Sequence, residues 1–356
     1  MSRFLSQRLQ ALDEYVPGEQ PRDQQYIKLN TNESPYPASD GVVAAIDAAQ
    51  VRDLRLYCDP DCKALVQALA DRYGVGTENV FVSNGSDDIL NFAFMGFFGP
   101  DRPVQFPAVS YGFYEVYANL YGVAYEKTPM NRDFSIDPAR YRNAGKNIVL
   151  ANPNAQTGIA LPLREIEEIV RTNPDHVVLI DEAYVDFGCE SAVGLTRRYP
   201  NLLVAQTFSK SRSMAGARLG YAIADAGLIA DLNKIKYSTN PYNINRLTQV
   251  AGVAALADGS YYRENCQKIQ RTRSVTRAAL EELGFFVTDS SANFLLAGRG
   301  PVEGGALYLA LKERGILVRH FSEPLISDYV RITIGTPEQM ECLILAIRDI
   351  LKEATR

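Results

Sequence analysis

Apolar residues along this chain gather into short runs, each ending in polar or glycine-rich residues. Four stand out: NVFVSNG (79–85), NIVLANPN (147–154), HVVLIDEAY (176–184) and NLLVAQTFSK (201–210). Their length and β-branched content predict buried strands. Between several of them the apolar positions recur at three and four, as in LPLREIEEIVRTN (161–173), the spacing of an amphipathic helix. Strands alternating with helices predict an α/β fold with a mainly parallel, doubly wound sheet. In such a sheet the ligand crevice lies at the carboxyl ends of the strands.

The last third has another rhythm. A long helical stretch from Tyr261 leads to FFVTDSSANFLLA (285–297), then to a helix LYLALKERG (307–315). Strands ILVRH (316–320) and YVRITIG (329–335) follow, with a final helix EQMECLILAIRDILKEA (338–354). This predicts a smaller α+β domain, formed by 1–37 and 246–356, beside a large domain at 38–245. No linker-like tract separates them, so they are expected to pack closely around a cleft.

Charge and composition remove several classes. With 37 basic and 42 acidic residues the net charge is −5, which offers nucleic acid no electrostatic footprint. No apolar run reaches the roughly 18–20 residues of a membrane span. The opening MSRFLSQRLQALDEY is amphipathic without a signal-peptide core, so a cytoplasmic protein is expected. Cys58, Cys62, Cys189, Cys266 and Cys342 are scattered and odd in number, as reduced thiols would be. His176 and His320 are the only histidines, which excludes a multi-histidine metal centre. No metal is expected, and acid–base work falls to other groups.

The polar residues after each run carry the chemistry. Ser83-Asn84-Gly85-Ser86 turns into a helix, and a helix start is an anion site. The second run displays Asn152 and Asn154 on a Pro/Gly-bounded turn. The third ends in Asp181, Glu182 and Tyr184; an acid ending an apolar strand is costly to bury unless it meets a cation. The fourth ends in Ser209-Lys210, with Arg218 eight residues on. If these ends share one crevice, they supply what pyridoxal phosphate requires: a Schiff-base lysine, an acid for the ring nitrogen, and groups for the ring oxygen and phosphate.

At these residues the sequence resembles the fold-type I pyridoxal-phosphate aminotransferases. TFSKSRSMAGARLGY (207–221) is similar to their lysine segment, and NPNAQTG and DEAYVDF to two more motifs. LNTNESPYP (29–37) and NGSDDIL (84–90) resemble motifs of the histidinol-phosphate aminotransferase group. The resemblance runs in order from residue 15 to residue 339. It implies that Lys210 forms the Schiff base and moves the proton, that Asp181 pairs with the ring N–H, and that Tyr184 and Asn154 bond the ring oxygen. Tyr111 would stack on the ring. The phosphate would be held by the N–H groups at Gly85 and Ser86, by Ser209 and Arg218, and more weakly by Thr207.

The resemblance also implies a homodimer in which Tyr57 reaches the neighbouring subunit's phosphate, although Cys58 follows where the family usually has proline. Arg331 would take the α-carboxylate of glutamate or the phosphate of histidinol phosphate, since a planar fork suits both. Arg319 would hold the other acidic group, with Tyr15 and Asn30 beside the substrate. Tyr15 follows Glu14, where proline is common. Tyr242 and Asn243 fall in matching motifs, and His320 is expected to pack rather than catalyse. A lysine near Arg218 and a cofactor is expected to fall below the ordinary value of about 10.4. The implied reaction moves an amino group from histidinol phosphate to 2-oxoglutarate, giving imidazole acetol phosphate and glutamate in histidine biosynthesis. Other activities compatible with the same residues are an aromatic amino-acid aminotransferase, a threonine-phosphate decarboxylase and a non-catalytic cofactor-binding regulator.

Overall fold

The structure, a computed structural model, describes residues 4, 5, 9, 10, 12 and 15–354. Most of the amphipathic opening, Glu14 included, lies outside the described residues. After a first short strand β1 (Ile27–Leu29), seven strands form one sheet. They are β2 (Val80–Ser83), β3 (Val104–Pro107), β4 (Tyr125–Thr128), β5 (Asn147–Ala151), β6 (Val178–Asp181), β7 (Leu202–Thr207) and β8 (Gly220–Ala224). Their spatial order is β2-β8-β7-β6-β5-β3-β4. All pairs are parallel except those of β8, which runs antiparallel to both β2 and β7.

Parallel neighbours require crossovers, and helices on both faces provide them. Side chains alternate accordingly. Ile148, Leu150, Val178, Ile180 and Val204 join the apolar cluster on one face. Val149, Ala151, Leu179, Leu203 and Ala205 join the cluster on the other. The carboxyl ends of β5, β6 and β7 therefore open side by side at one sheet edge, which positions the site.

The smaller sheet contains β9 (Phe286–Val287), β10 (Phe294–Gly298), β11 (Ile316–His320) and β12 (Tyr329–Thr333) in the order β1-β11-β12-β10-β9. The N-terminal segment enters it as a strand, β1 lying parallel to β11. Phe294, Leu295, Val318 and Ile332 belong to the same apolar cluster as Leu179 and Leu203, so the two sheets share a core.

The helix Arg246–Ala257, expected in the smaller domain, packs on the large one. Asn245 caps it, accepting from Thr248 N at 2.9 Å. Its Ala251 and Ala255 are buried with Leu65, Leu69 and Leu219. The following helix, Gly259–Glu282, places Tyr262 in that cluster and Ile269 and Leu280 in the shared core. We propose that the domain division lies within this long helix rather than at 245. No helix among the described residues is long and apolar enough to cross a membrane.

Candidate active site

The anion cup begins where β2 ends. The chain turns at Gly85, whose φ of +86° suits glycine, into the helix Ser86–Phe97. A Cβ at Gly85 would stand 2.7 Å from Arg218 Nη2, so its absence lets the guanidinium lie over the turn. Gly220 on β8 admits the backbone itself, since a Cβ there would lie 2.4 Å from Ser86 N. The Gly85 N–H, expected to face the phosphate, donates to Ser83 O at 2.8 Å in this structure. The first-turn N–H groups of Ser86 and Asp87 have no protein acceptor among the described residues.

Arg218 completes the cup from the opposite side. Its Nη2 donates to Asp87 Oδ2 at 2.9 Å and its Nη1 to Ser209 Oγ at 3.5 Å. Thr207 Oγ1 donates to Ser209 Oγ at 2.9 Å. Ser86, Thr207, Ser209 and Arg218 thus line one cavity, and Lys210, Asp181, Tyr184 and Tyr111 line it too.

Asp181 ends β6 at 4% exposure. Its Oδ2 accepts the Tyr114 hydroxyl at 2.8 Å and its Oδ1 the Ala183 N–H at 3.3 Å. Neither partner is cationic, and among the described residues no lysine or arginine forms an ion pair with it. Burial therefore pushes its carboxyl up to about 6, against the pull of Tyr114. The cation that this carboxylate lacks is what a protonated pyridine ring provides.

Lys210 Nζ donates to Thr31 O at 3.1 Å and lies 5.9 Å from the Tyr184 ring centroid. Its pKa falls to about 8, first through burial and next through the positive charge of Arg331. Arg218, from which the depression was expected, contributes less than either. At neutral pH roughly a tenth of such lysines are uncharged, against about one in three thousand at the ordinary value. Tyr184, 8% exposed, accepts from Asn32 Nδ2 at 2.9 Å. Tyr111 donates to Asp87 Oδ1 at 2.8 Å and meets the Tyr15 ring edge-on.

Three expected residues do not line the cavity: Gly85, Asn154 and Tyr57. Asn154 is buried beneath it, its Nδ2 donating to Val109 O and its Oδ1 accepting from Gln156 N and Thr157 N. Its Oδ1 holds the turn's own N–H groups and one Nδ2 hydrogen goes to Val109 O, while Ala155 and Gln156 line the cavity. Tyr57 stands 80% exposed, stacked on Tyr242 at 4.6 Å. Asn243 ties its loop to the helix start through Ser83 Oγ and Asp88 Oδ2, both at 2.8 Å.

The substrate side is built by the smaller sheet and the N-terminal segment. Arg331 lies between the Phe294 and Phe321 rings, and its Nη1 donates to Ala155 O and Gln156 Oε1, both at 2.9 Å. Its Nε is buried without a partner, so one edge of the fork remains for an anion. Arg319 donates to Val16 O at 2.9 Å and Pro17 O at 3.1 Å, which fastens the segment carrying Tyr15. Asn30 lines the cavity with its Oδ1 unpaired, and Tyr15 stacks on Phe113. His320 bonds Ser327 O and stacks on Tyr308.

Sequence reasoning missed Tyr114, Asn32 and Gln156. Tyr114 lies in the first turn of the helix Phe113–Tyr121, three residues after Tyr111, and the two rings meet edge to face. Asn32 and Gln156 sit inside motifs already singled out, and only tertiary geometry shows which member points inward.

Comparison with known proteins agrees with this geometry. The model of the class I and II aminotransferase family matches residues 24–347. The histidinol-phosphate aminotransferase of Brachyspira hyodysenteriae is 48% identical over 353 residues, 99% of this chain and 100% of that protein. That of a Marinomonas species is 50% identical, covering 98% and 100%. The structure of the Sinorhizobium meliloti histidinol-phosphate aminotransferase, solved with pyridoxal-5'-phosphate, shares the fold at TM-score 0.88, covering 99% of each chain at 22% identity. The motifs, the sheet order and these full-length matches agree: the chain belongs to the class I and II aminotransferases, with histidinol-phosphate aminotransferases as its relatives.

Proposed function

We propose that this aminotransferase moves the amino group of histidinol phosphate to 2-oxoglutarate, with pyridoxal phosphate as cofactor, in the cytoplasm. The observation that carries the reading is Asp181, a buried carboxylate without a cation, lining the same cavity as a buried lysine of lowered pKa. When bound, pyridoxal phosphate supplies an electron-withdrawing ring that steadies charge at the substrate carbon.

The chain's own residues do the rest. Asp181 accepts the ring N–H and keeps the ring cationic. Because Asn32 already donates to the Tyr184 oxygen, the Tyr184 hydrogen is free for the ring oxygen. The Ser86 N–H, Thr207, Ser209 and Arg218 hold the phosphate, and Tyr111 covers the ring. Lys210 Nζ anchors the cofactor and then carries the proton from the substrate Cα. Arg331 receives the acidic group of either substrate on its open edge, with Tyr15, Asn30 and Arg319 closing the cleft.

The surface beside Tyr57 supports a homodimer as part of this reading. Val51, Leu54, Leu56, Tyr57 and Tyr242 are all at least two-fifths exposed, an apolar patch suited to a second copy. There Tyr57 has a free hydroxyl for the neighbouring cup.

The test is a half-reaction: holoenzyme mixed separately with histidinol phosphate, phenylalanine and threonine phosphate. Loss of the visible cofactor band should be fastest with histidinol phosphate. Faster conversion of phenylalanine, or carbon dioxide released from threonine phosphate, would overturn the assignment.

A further inference from the structure

Immediately after Lys210 the chain enters a second cavity, of about 150 Å³, which the transamination chemistry does not use. Arg212 lies at its floor, 6% exposed, with its guanidinium 5.3 Å from the Tyr262 ring centroid. Among the described residues it has neither a hydrogen-bond partner nor a carboxylate within ion-pair distance. Arg72 and Arg263 stand at the exposed mouth. A Cβ built on Gly259 would lie 3.2 Å from Arg263 Nη1 and 3.9 Å from Arg72 Nη1, so these two side chains meet beside Gly259. Neither forms an ion pair among the described residues.

Asp186 is the one carboxylate in the lining, and one of its oxygens accepts the Ser211 hydroxyl. Three guanidinium groups against one carboxylate leave two positive charges uncompensated, one of them out of water. A guanidinium buried without a partner, as Arg212 is, is costly unless an anion joins it. Gln267 and Gln270 add neutral donors at the rim. The cavity is too small for a nucleotide and has no apolar slot for a larger body.

We propose that this cavity binds a small oxyanion, the phosphate group of inorganic phosphate or of a phosphomonoester. Planar guanidinium forks lining one small cavity are the usual recognition of such a group. Ser211 and Arg212 directly follow Lys210, and Asp186 follows Tyr184 by two residues. An anion bound there bridges the two segments that carry the lysine and the ring-facing tyrosine, and holds both in place.

The holoenzyme is titrated calorimetrically with inorganic phosphate, wild type beside Arg212→Gln, Arg263→Gln and Arg331→Gln. Phosphate also meets Arg331 in the substrate cleft, so that variant separates the two sites. Wild type and Arg331→Gln should keep a site that Arg263→Gln weakens at least tenfold and Arg212→Gln removes. Arg263 is exposed, so its replacement leaves the core intact even if Arg212→Gln folds poorly. Undiminished binding in Arg263→Gln, or a single site lost only in Arg331→Gln, overturns the proposal. Glycerol phosphate in place of phosphate separates the sources: tighter binding assigns the cavity to a phosphomonoester, weaker binding to the free ion. An enzyme inactive on histidinol phosphate would leave this result unchanged.

Discussion

Replacing Asp181 with asparagine sets the needs of the site against those of the fold. Burial holds the Asp181 carboxyl up at about 6, against an ordinary 3.8. Because the folded value lies above the unfolded one, the carboxyl's contribution to stability is complete below about pH 4 and is lost as the pH rises through about 6. The shift of about two units amounts to about 3 kcal/mol. Of this, about 2 kcal/mol is lost between about pH 4.5 and 7.5. Asparagine has nearly the same shape and no charge to bury. Measured by urea unfolding of the cofactor-free protein, Asp181→Asn should therefore gain on wild type by about 2 kcal/mol between those two pH values.

Fixed costs, such as an amide hydrogen turned toward Tyr114, are the same at both pH values and drop out of that difference. The adjacent Glu182, pushed up to about 7 by the same burial, is present in both proteins and cancels. Cofactor binding and turnover should collapse in the variant, since the ring N–H then meets no charge. A stability difference that does not change with pH would refute the claim that Asp181 lies uncompensated in the cofactor-free fold.

Three further substitutions probe its neighbours. Tyr114→Phe removes a hydrogen bond that holds the Asp181 pKa down, so that pKa should rise by about one unit and cofactor affinity should fall about twofold at about pH 7 and about tenfold at about pH 5, measured by titrating apoprotein with cofactor. Arg331→Gln removes a positive charge that depresses Lys210; the pH at which cofactor attaches to the apoprotein should move upward, and KM should rise at least tenfold for both substrates. An effect on glutamate alone would refute a shared anchor. Asn32→Ala frees the Tyr184 hydroxyl to donate away from the ring oxygen, and the pH midpoint of the holoenzyme's visible band should rise by about one unit; an unmoved midpoint would count against the orientation.

Much of the large domain was legible because its strands are short apolar runs closed by polar residues. Lys210, Asp181, Tyr184 and Arg218 could be placed together because a parallel sheet puts strand ends at one edge. The antiparallel insertion of β8 and the parallel pairing of β1 with β11 had no local signal, since partner choice is decided by contacts far apart in sequence. The edge strand β4, reading Tyr-Glu-Lys-Thr, lacks an apolar run altogether. The helix Arg246–Ala257, expected with the smaller domain, buries Ala251 and Ala255 with Leu65 and Leu69, and its small apolar face gave the sequence no way to tell which neighbour it takes. In NPNAQTG the composition announces a turn but not which residue faces inward. There Asn154 satisfies the turn's own N–H groups, and that commitment turns Ala155 and Gln156 to the cavity.

The two domains meet chemically as well as sterically, and one strand does most of it. Arg331 and Thr333 are two apart on β12 and so share a face. Arg331 keeps its Nε unpaired and lowers the pKa of Lys210 through its charge. Thr333 Oγ1 accepts from Asn32 N at 2.9 Å and donates to Asn32 Oδ1 at 3.0 Å, while Asn32 Nδ2 donates to Tyr184. Asn293, at the start of the neighbouring strand, fixes the Asn32 carbonyl at 3.0 Å. Asn32 itself holds φ at +55°, a conformation that few residues other than glycine adopt and that surrounding contacts must maintain. On the proposed function, an anion at Arg331 would act on the same strand that sets the Tyr184 hydroxyl and would answer the cation that depresses Lys210. The lysine would then regain basicity with substrate seated, without a histidine.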